Sequence, residues 1–155
     1  IEDRLKALLD IPVFHDDQHG TAIVVLAALL NALSLTGQRL EEIRTVVVGM
    51  GAAGVAVTKI LLAAGARHII GVDSQGALSA DRADFLDGTM GAVKRELASL
   101  TNLERRAGGV VDVVEGADLF IGLSGARVIE ASALQAMNPN PIVFAMANPD
   151  PEVSP

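Results

Sequence analysis

The stretch Thr45-Val-Val-Val-Gly-Met-Gly-Ala-Ala-Gly54 decides how the rest of the chain is read. Its first four residues, three of them valine, form the apolar β-branched run of a strand buried on both faces. Gly49, Gly51 and Gly54 follow at G-x-G-x-x-G spacing, and residues 55–64 read as an apolar helix. Gly49 allows the tight turn out of the strand, Gly51 lets backbone approach a pyrophosphate, and Gly54 lets the helix pack closely on the sheet. Phosphates then sit on the free N–H groups and positive dipole end of that helix, with Met50, Ala52 and Ala53 completing the turn. A glycine triplet alone also serves as a plain strand-to-helix connector. Here the wider context is met, because a second strand at 68–72 ends in Asp73, 19 residues past Gly54. That is where a dinucleotide fold wants an acceptor for the adenosine ribose hydroxyls. A carboxylate there repels a 2′-phosphate, which favours NAD over NADP unless a basic neighbour reverses it. Ser74, Gln75 and Gly76 are not basic, and Arg82 is the nearest candidate.

The 155 residues make one domain's worth of chain, and half are apolar, enough for a buried core. Tyr, Trp and Cys are absent and Phe occurs four times, so that core is built of Val, Leu, Ile and Ala. Without Cys there is no disulfide framework, thiolate metal site or thiol nucleophile. The net charge of −7 offers no electrostatic footprint for nucleic acid. No uninterrupted apolar run approaches membrane-spanning length, and the N-terminus lacks a basic region followed by an apolar core. A soluble cytoplasmic protein is the expectation. The chain opens at Ile1 rather than Met and closes at Pro155 in mid-motif, which reads as a segment of something longer.

In chain order, residues 2–9 suggest a short surface helix with the Glu2-Asp3 pair on its solvated face. Residues 21–34 are apolar on nearly every side, the pattern of a helix buried in a large domain. Charged and apolar residues mix over 79–100, suggesting a loop and then a surface helix. Short helices are expected at 110–115 and 129–137, and further strands at 119–123 and 142–145. Strands alternating with helices predict an α/β fold: a Rossmann-like, doubly wound, mainly parallel sheet with right-handed crossovers. No regular third strand is visible between Asp73 and Leu119.

Ligands collect outside the carboxyl ends of the strands in such a sheet. The turn from Gly49 to Gly54, Ser124-Gly125 and Asn148 all end strands and should face one crevice. Ser124-Gly125 reads as backbone laid along the nicotinamide ribose or as an ordinary turn. The Asn148 amide offers donors and acceptors to a ligand, or caps a strand end before Pro149. Asp16-Asp17 precedes the long apolar helix, which fits helix capping, solvation or ligation of a hard metal ion by carboxylate oxygen. His15 and His19 read as structural, and His68 as exposed. Lys6, Lys59 and Lys94 fall on predicted helices, away from the strand ends.

The string Ile11-Pro-Val-Phe-His-Asp-Asp-Gln-His-Gly-Thr-Ala22 closely resembles the signature of bacterial malic enzymes. The resemblance continues through V-V-V-G-M-G-A-A-G, G-A-D-L-F-I-G-L-S-G (116–125) and I-V-F-A-M-A-N-P-D-P-E (142–152), four blocks in the right order. It covers essentially the whole chain and is weakest over 76–116. It implies the NAD(P)-binding domain of an oxaloacetate-decarboxylating malic enzyme, in which L-malate is oxidised by hydride transfer and decarboxylated to pyruvate. Mg²⁺ or Mn²⁺ polarises the C2 oxygen in that reaction. Asp17 matches the family's metal-ligand aspartate and Asp16 the neighbouring acid, both counted as catalytic. Met50 to Ala53 match the pyrophosphate turn, and Asn148 matches an asparagine near nicotinamide and substrate.

Two departures accompany the match. The family's other metal ligands form a Glu-Asp pair further upstream than Glu2-Asp3, so that pair is a decoy. The family's acid tyrosine and base lysine belong to an earlier domain, and this chain has no Tyr. The segment alone should therefore bind a dinucleotide without turning over malate, and a homo-oligomer is expected of a full-length parent. A metal-independent amino-acid dehydrogenase is the alternative enzyme reading. A pure NAD-sensing module is a third, although a sensor has no use for a metal ligand at the crevice mouth.

Overall fold

Among the described residues five strands, β1 (Arg44–Val48), β2 (His68–Asp73), β3 (Gly76–Ala77), β4 (Leu119–Gly122) and β5 (Ile142–Ala145), form one sheet in the order β3-β2-β1-β4-β5. The computed structural model describes residues 2–154; Ile1, Pro155 and the Asp3 side chain lie outside the described residues. The ends on which the reading of a longer parent rests, and half of the Glu2-Asp3 expectation, are therefore beyond its reach.

The β1–β2, β1–β4 and β4–β5 pairs are parallel, with Val47 opposite Gly71 on one side and Ile121 on the other. β3 pairs antiparallel with β2, so the missing third parallel strand is replaced by a two-residue return. The helices among the described residues are α1 (Glu2–Leu8), α2 (Asp16–Thr36), α3 (Ala52–Ala63), α4 (Ala83–Leu86), α5 (Ala92–Leu100), α6 (Val110–Val114) and α7 (Ala131–Leu134).

Side chains alternate across a strand, so a central strand covered on both faces feeds two cores. Val47, Ile69, Leu119 and Ile121 pack with Leu29 of α2, Leu61 of α3 and Leu97 of α5. Val46, Val48, Val72 and Phe120 pack on the other face with Val113 and Val114 of α6 and with Met137. This is the doubly wound arrangement the sequence predicts. The chain steps outward from β1 to β2 and then returns to place β4 on the opposite side of β1. That reversal makes the carboxyl ends of β1 and β4 the switch point where ligands bind.

Several elements differ from expectation. α2 begins five residues early and spans 21 residues, long and apolar enough by length and composition to cross a membrane. It is not buried all round. Ala22, Val25, Leu29 and Leu33 form a buried stripe, and Ile23, Val24, Leu30 and Leu35 are exposed. The helix expected at 129–137 shortens to one turn, α7, and 79–100 divides into α4 and α5. Buried Asn102 organises the least regular region. Its Nδ2 donates to the carbonyls of Leu78 (2.9 Å) and Arg106 (2.8 Å), while its Oδ1 accepts the Arg106 N–H (2.9 Å).

Thr45 occupies the same face of β1 as Val47 and is 1% exposed, and its Oγ1 has no hydrogen-bond partner among the described residues. A buried hydroxyl without a partner costs about 1–3 kcal/mol. Thr45→Val keeps the branched shape and should stabilise the fold by about 1 kcal/mol. Thermal unfolding should show a rise of about 2–4 °C, and an unchanged or lowered midpoint would mean the hydroxyl is satisfied.

Candidate functional site

The sequence around the first turn explains its own geometry. Gly49 leaves β1 with φ +99°, and a Cβ there would lie 2.5 Å from the Leu123 carbonyl oxygen. A Cβ on Gly54 would lie 1.9 Å from the Gly49 carbonyl oxygen. Both glycines are therefore demanded by backbone packing, Gly49 against β4 and Gly54 between helix and strand end. Gly51 is different. It is the N-cap of α3 with φ −85° and ψ −158°, a conformation open to any residue, and a Cβ there would meet nothing within 4 Å. The fold does not require glycine at 51, whereas a pyrophosphate approaching the backbone does. No side chain caps α3, so the N–H groups of its first turn, including Ala52 and Ala53, are left for a ligand.

These residues line an open crevice of about 550 Å³ that brings together Gly49, Met50, Gly51, Asp73, Ser124 and Lys94. Gly125 follows Ser124 with open space where a Cβ would stand. Asn148 is exposed beyond the carboxyl end of β5, and its peptide bond to Pro149 is cis. The three strand-ending features lie at one edge of the sheet, but the crevice itself is lined by the glycine turn and Ser124, and by neither Gly125 nor Asn148. In doubly wound sheets a ligand lies across such a switch point.

Asp73 ends β2 as expected, but it is not a free acceptor. Its Oδ1 accepts from Arg82 Nη1 (2.8 Å) and the Gln75 N–H (2.9 Å), and its Oδ2 accepts from Lys94 Nζ (2.6 Å) and Arg82 Nη2 (3.3 Å). Arg82 also grips Asp84 through Nε (2.7 Å) and Nη2 (2.8 Å). Two acids and two cations leave this cluster with no formal charge. Burial alone would raise the Asp73 carboxyl, but Arg82, Lys94 and the Gln75 N–H together hold it below its ordinary value. The Asp84 contact does most to raise the Arg82 guanidinium above its ordinary value. Lys94, assigned from sequence to a helix away from the strand ends, is corrected here. It does lie on α5, but its long side chain reaches back to the end of β2.

Sequence reasoning passed over Glu152 entirely. It is wholly buried, and its Oε1 and Oε2 accept the N–H groups of Ser124 (2.9 Å) and Ala147 (3.0 Å). The only local signal is a glutamate beside two prolines, which says nothing about its partners.

Asp16 and Asp17 occupy the first turn of α2, where a carboxylate suits the helix dipole. Neither is the cap, which is His15 and makes no side-chain cap bond. Asp16 folds over Gly20, whose missing Cβ makes the room. The Asp17 side chain is 92% exposed, and its Oδ2 lies 3.7 Å from His15 Nε2. Among the described residues no group of three or more His, Asp or Glu could hold a metal ion. Lone carboxylates supply too few oxygens for Mg²⁺ or Mn²⁺, so these residues do not fit a complete metal centre. His19 bonds Glu2 (2.7 Å) and lies beside the Phe14 ring, tilted at 39° with ring centroids 5.5 Å apart. Glu2 also pairs with Lys6 (2.6 Å) and is mostly buried, not a solvated face.

The family described as "Malic enzyme, NAD binding domain" matches residues 18–154. The NAD-dependent malic enzyme of Geobacillus stearothermophilus is 53% identical over all 155 residues, which make up 31% of that protein. The NADP-dependent malic enzyme of Halomonas elongata is 41% identical over the whole chain, which covers 35% of it. The crystal structure of NAD-dependent malic enzyme from Thermotoga maritima superposes with a TM-score of 0.91 and 42% identity, over 99% of this chain and 40% of that one. The chain thus spans about a third of the length of these two curated relatives. The four sequence blocks, the doubly wound sheet and the glycine turn all belong to one family, and the chain is a member of the malic enzyme NAD-binding domain family.

Proposed function

We propose that the protein carrying this chain oxidises L-malate at C2 with NAD(P) and decarboxylates the product to pyruvate and CO₂, this chain supplying the dinucleotide site. The observation that carries the reading is Gly51, a glycine the fold does not need at the mouth of an uncapped helix. The family match weighs against the amino-acid dehydrogenase alternative. The bound nicotinamide would take up the hydride. This chain's own residues bind and orient: the α3 N-terminus holds the pyrophosphate, the Ser124-Gly125 backbone lines the ribose beside the nicotinamide, and the Asn148 amide hydrogen-bonds there. Asp17, with Asp16 beside it, supports a divalent-metal role only together with ligands beyond the described residues. EDTA should abolish malate turnover by the full-length protein and leave NAD binding intact. Turnover that survives EDTA would favour the metal-independent dehydrogenase.

Cofactor choice turns on Asp73, Arg82 and Lys94. The carboxylate favours NAD, and the two cations that neutralise it lessen the repulsion of a 2′-phosphate. We assign NAD as the preferred cofactor and NADP as a weaker second. Lys94→Ala should weaken NADP about tenfold while changing NAD little, since a hydrogen bond to a charged group is worth about 1.5–3 kcal/mol. Asp73→Asn should move the preference toward NADP. Calorimetric titration of both cofactors checks this, and equal losses for NAD and NADP would remove the cluster from cofactor choice.

The glycines supply a sharper contrast. Gly51→Ala should leave the melting temperature unchanged and weaken NAD about tenfold or more, the equivalent of about 1.4 kcal/mol. Gly54→Ala should cost about 2 kcal/mol of stability, because the obstructing atom is backbone. If Gly51→Ala binds NAD normally, the pyrophosphate does not lie at this turn.

A further inference from the structure

Glu152 poses a physical puzzle. A carboxylate with no exposure is costly unless its oxygens are satisfied, and charged groups are almost never fully buried unless paired. Here its two oxygens accept two backbone N–H bonds, from Ser124 at 2.9 Å and Ala147 at 3.0 Å. Ser124 closes the end of β4 and Ala147 immediately precedes Asn148. Gly122 provides the space: a Cβ there would lie 2.4 Å from Glu152 Cδ and 2.6 Å from Oε2. The main chain repeats the tie, since the Arg127 N–H donates to Pro151 (3.0 Å) and the Ile129 N–H to Glu152 (3.2 Å).

Two N–H groups converge on one side chain, and both need acceptors. Only a carboxylate offers two acceptor oxygens at this length, since glutamine would turn an NH₂ donor toward one of the N–H groups. Bonds from N–H groups to an ionised acceptor are shorter and stronger than neutral ones, so the carboxylate fixes both segments. The segments it joins are the two strand ends toward which the nicotinamide half of a dinucleotide extends. Nothing about Glu152 touches the β2 side of the crevice, where Asp73, Arg82 and Lys94 stand.

We propose that Glu152 is a positioning residue that staples the Ser124-Gly125 turn to the segment carrying Asn148, and so sets the geometry of the nicotinamide half of the crevice. This rests on the dinucleotide reading above. ADP, which carries only the adenosine and pyrophosphate, should not depend on the staple, whereas NAD should.

The test uses the full-length protein and titrates NAD and ADP separately into the unaltered form, Glu152→Gln and Gly122→Ala. Glu152→Gln keeps size and loses one acceptor. Gly122→Ala keeps the carboxylate and displaces it. Both should weaken NAD about tenfold, equivalent to about 1.4 kcal/mol, and leave ADP within about twofold. Malate turnover should fall in kcat, since hydride transfer depends on orientation at the nicotinamide. Equal binding of NAD by all three forms would overturn the staple. Parallel losses of NAD and ADP, tracking a fall in melting temperature, would overturn it too by making Glu152 a general stabilising group. If the unaltered protein binds neither ligand, the dinucleotide reading fails and takes the staple with it.

Discussion

The crevice depends on a backbone approach too close for any side chain. Gly54 lies beneath the carbonyl of Gly49, and Gly49 in turn lies against the carbonyl of Leu123 at the end of β4. Those two contacts seat α3 on the sheet and bring the ends of β1 and β4 together. The N-terminus of α3 consequently points into the gap between them, and the uncapped N–H groups acquire a direction. Asp73 stands on the β2 side of that opening and Ser124 on the other.

Where the sequence was legible, the signal was local. The valine run, the glycine spacing and the position of Asp73 are all contained within 29 residues, and each is a constraint on neighbouring backbone. They were enough for the parallel sheet, the doubly wound class and one edge of the crevice. What escaped notice depends on distance. Lys94 looked remote because a helix assignment fixes a Cα and not where a four-carbon stem ends. Glu152 reaches Ser124 across 28 residues and Ala147 across five, and no periodicity encodes such a pairing. β3 was invisible because two residues are too few to show alternation.

The long helix was misjudged for a related reason. Residues 21–34 are apolar on nearly every side, and the inference from composition to burial assumes that something covers every side. In the fold the stripe of Ala22, Val25, Leu29 and Leu33 is buried against α3 and the sheet, Leu26 and Ala32 are partly covered beside it, and Ile23, Val24, Leu30 and Leu35 stay exposed. Composition reports what a helix can bury, and the surrounding chain decides how much of it is buried. Asp73 teaches the same lesson in electrostatics. Its own charge argues for NAD, but Asp73 belongs to a cluster with Asp84, Arg82 and Lys94 whose formal charges sum to zero.

Glycine shows most plainly why a motif has to be converted into contacts before it carries function. Four glycines near the switch point look alike as letters and differ in what a methyl group would strike. At 49 and 54 it would strike backbone, so the fold itself requires glycine. At 122 it would strike the Glu152 carboxyl, so that glycine exists for another residue's side chain. At 51 it would strike nothing within 4 Å. A residue that sacrifices backbone entropy with no gain in the folded chain is explained by something that arrives later. Gly91, the uncapped N-cap of α5, and Gly125 also meet nothing within 4 Å, so an unobstructed glycine counts toward a ligand only where it lines the crevice, as Gly51 does.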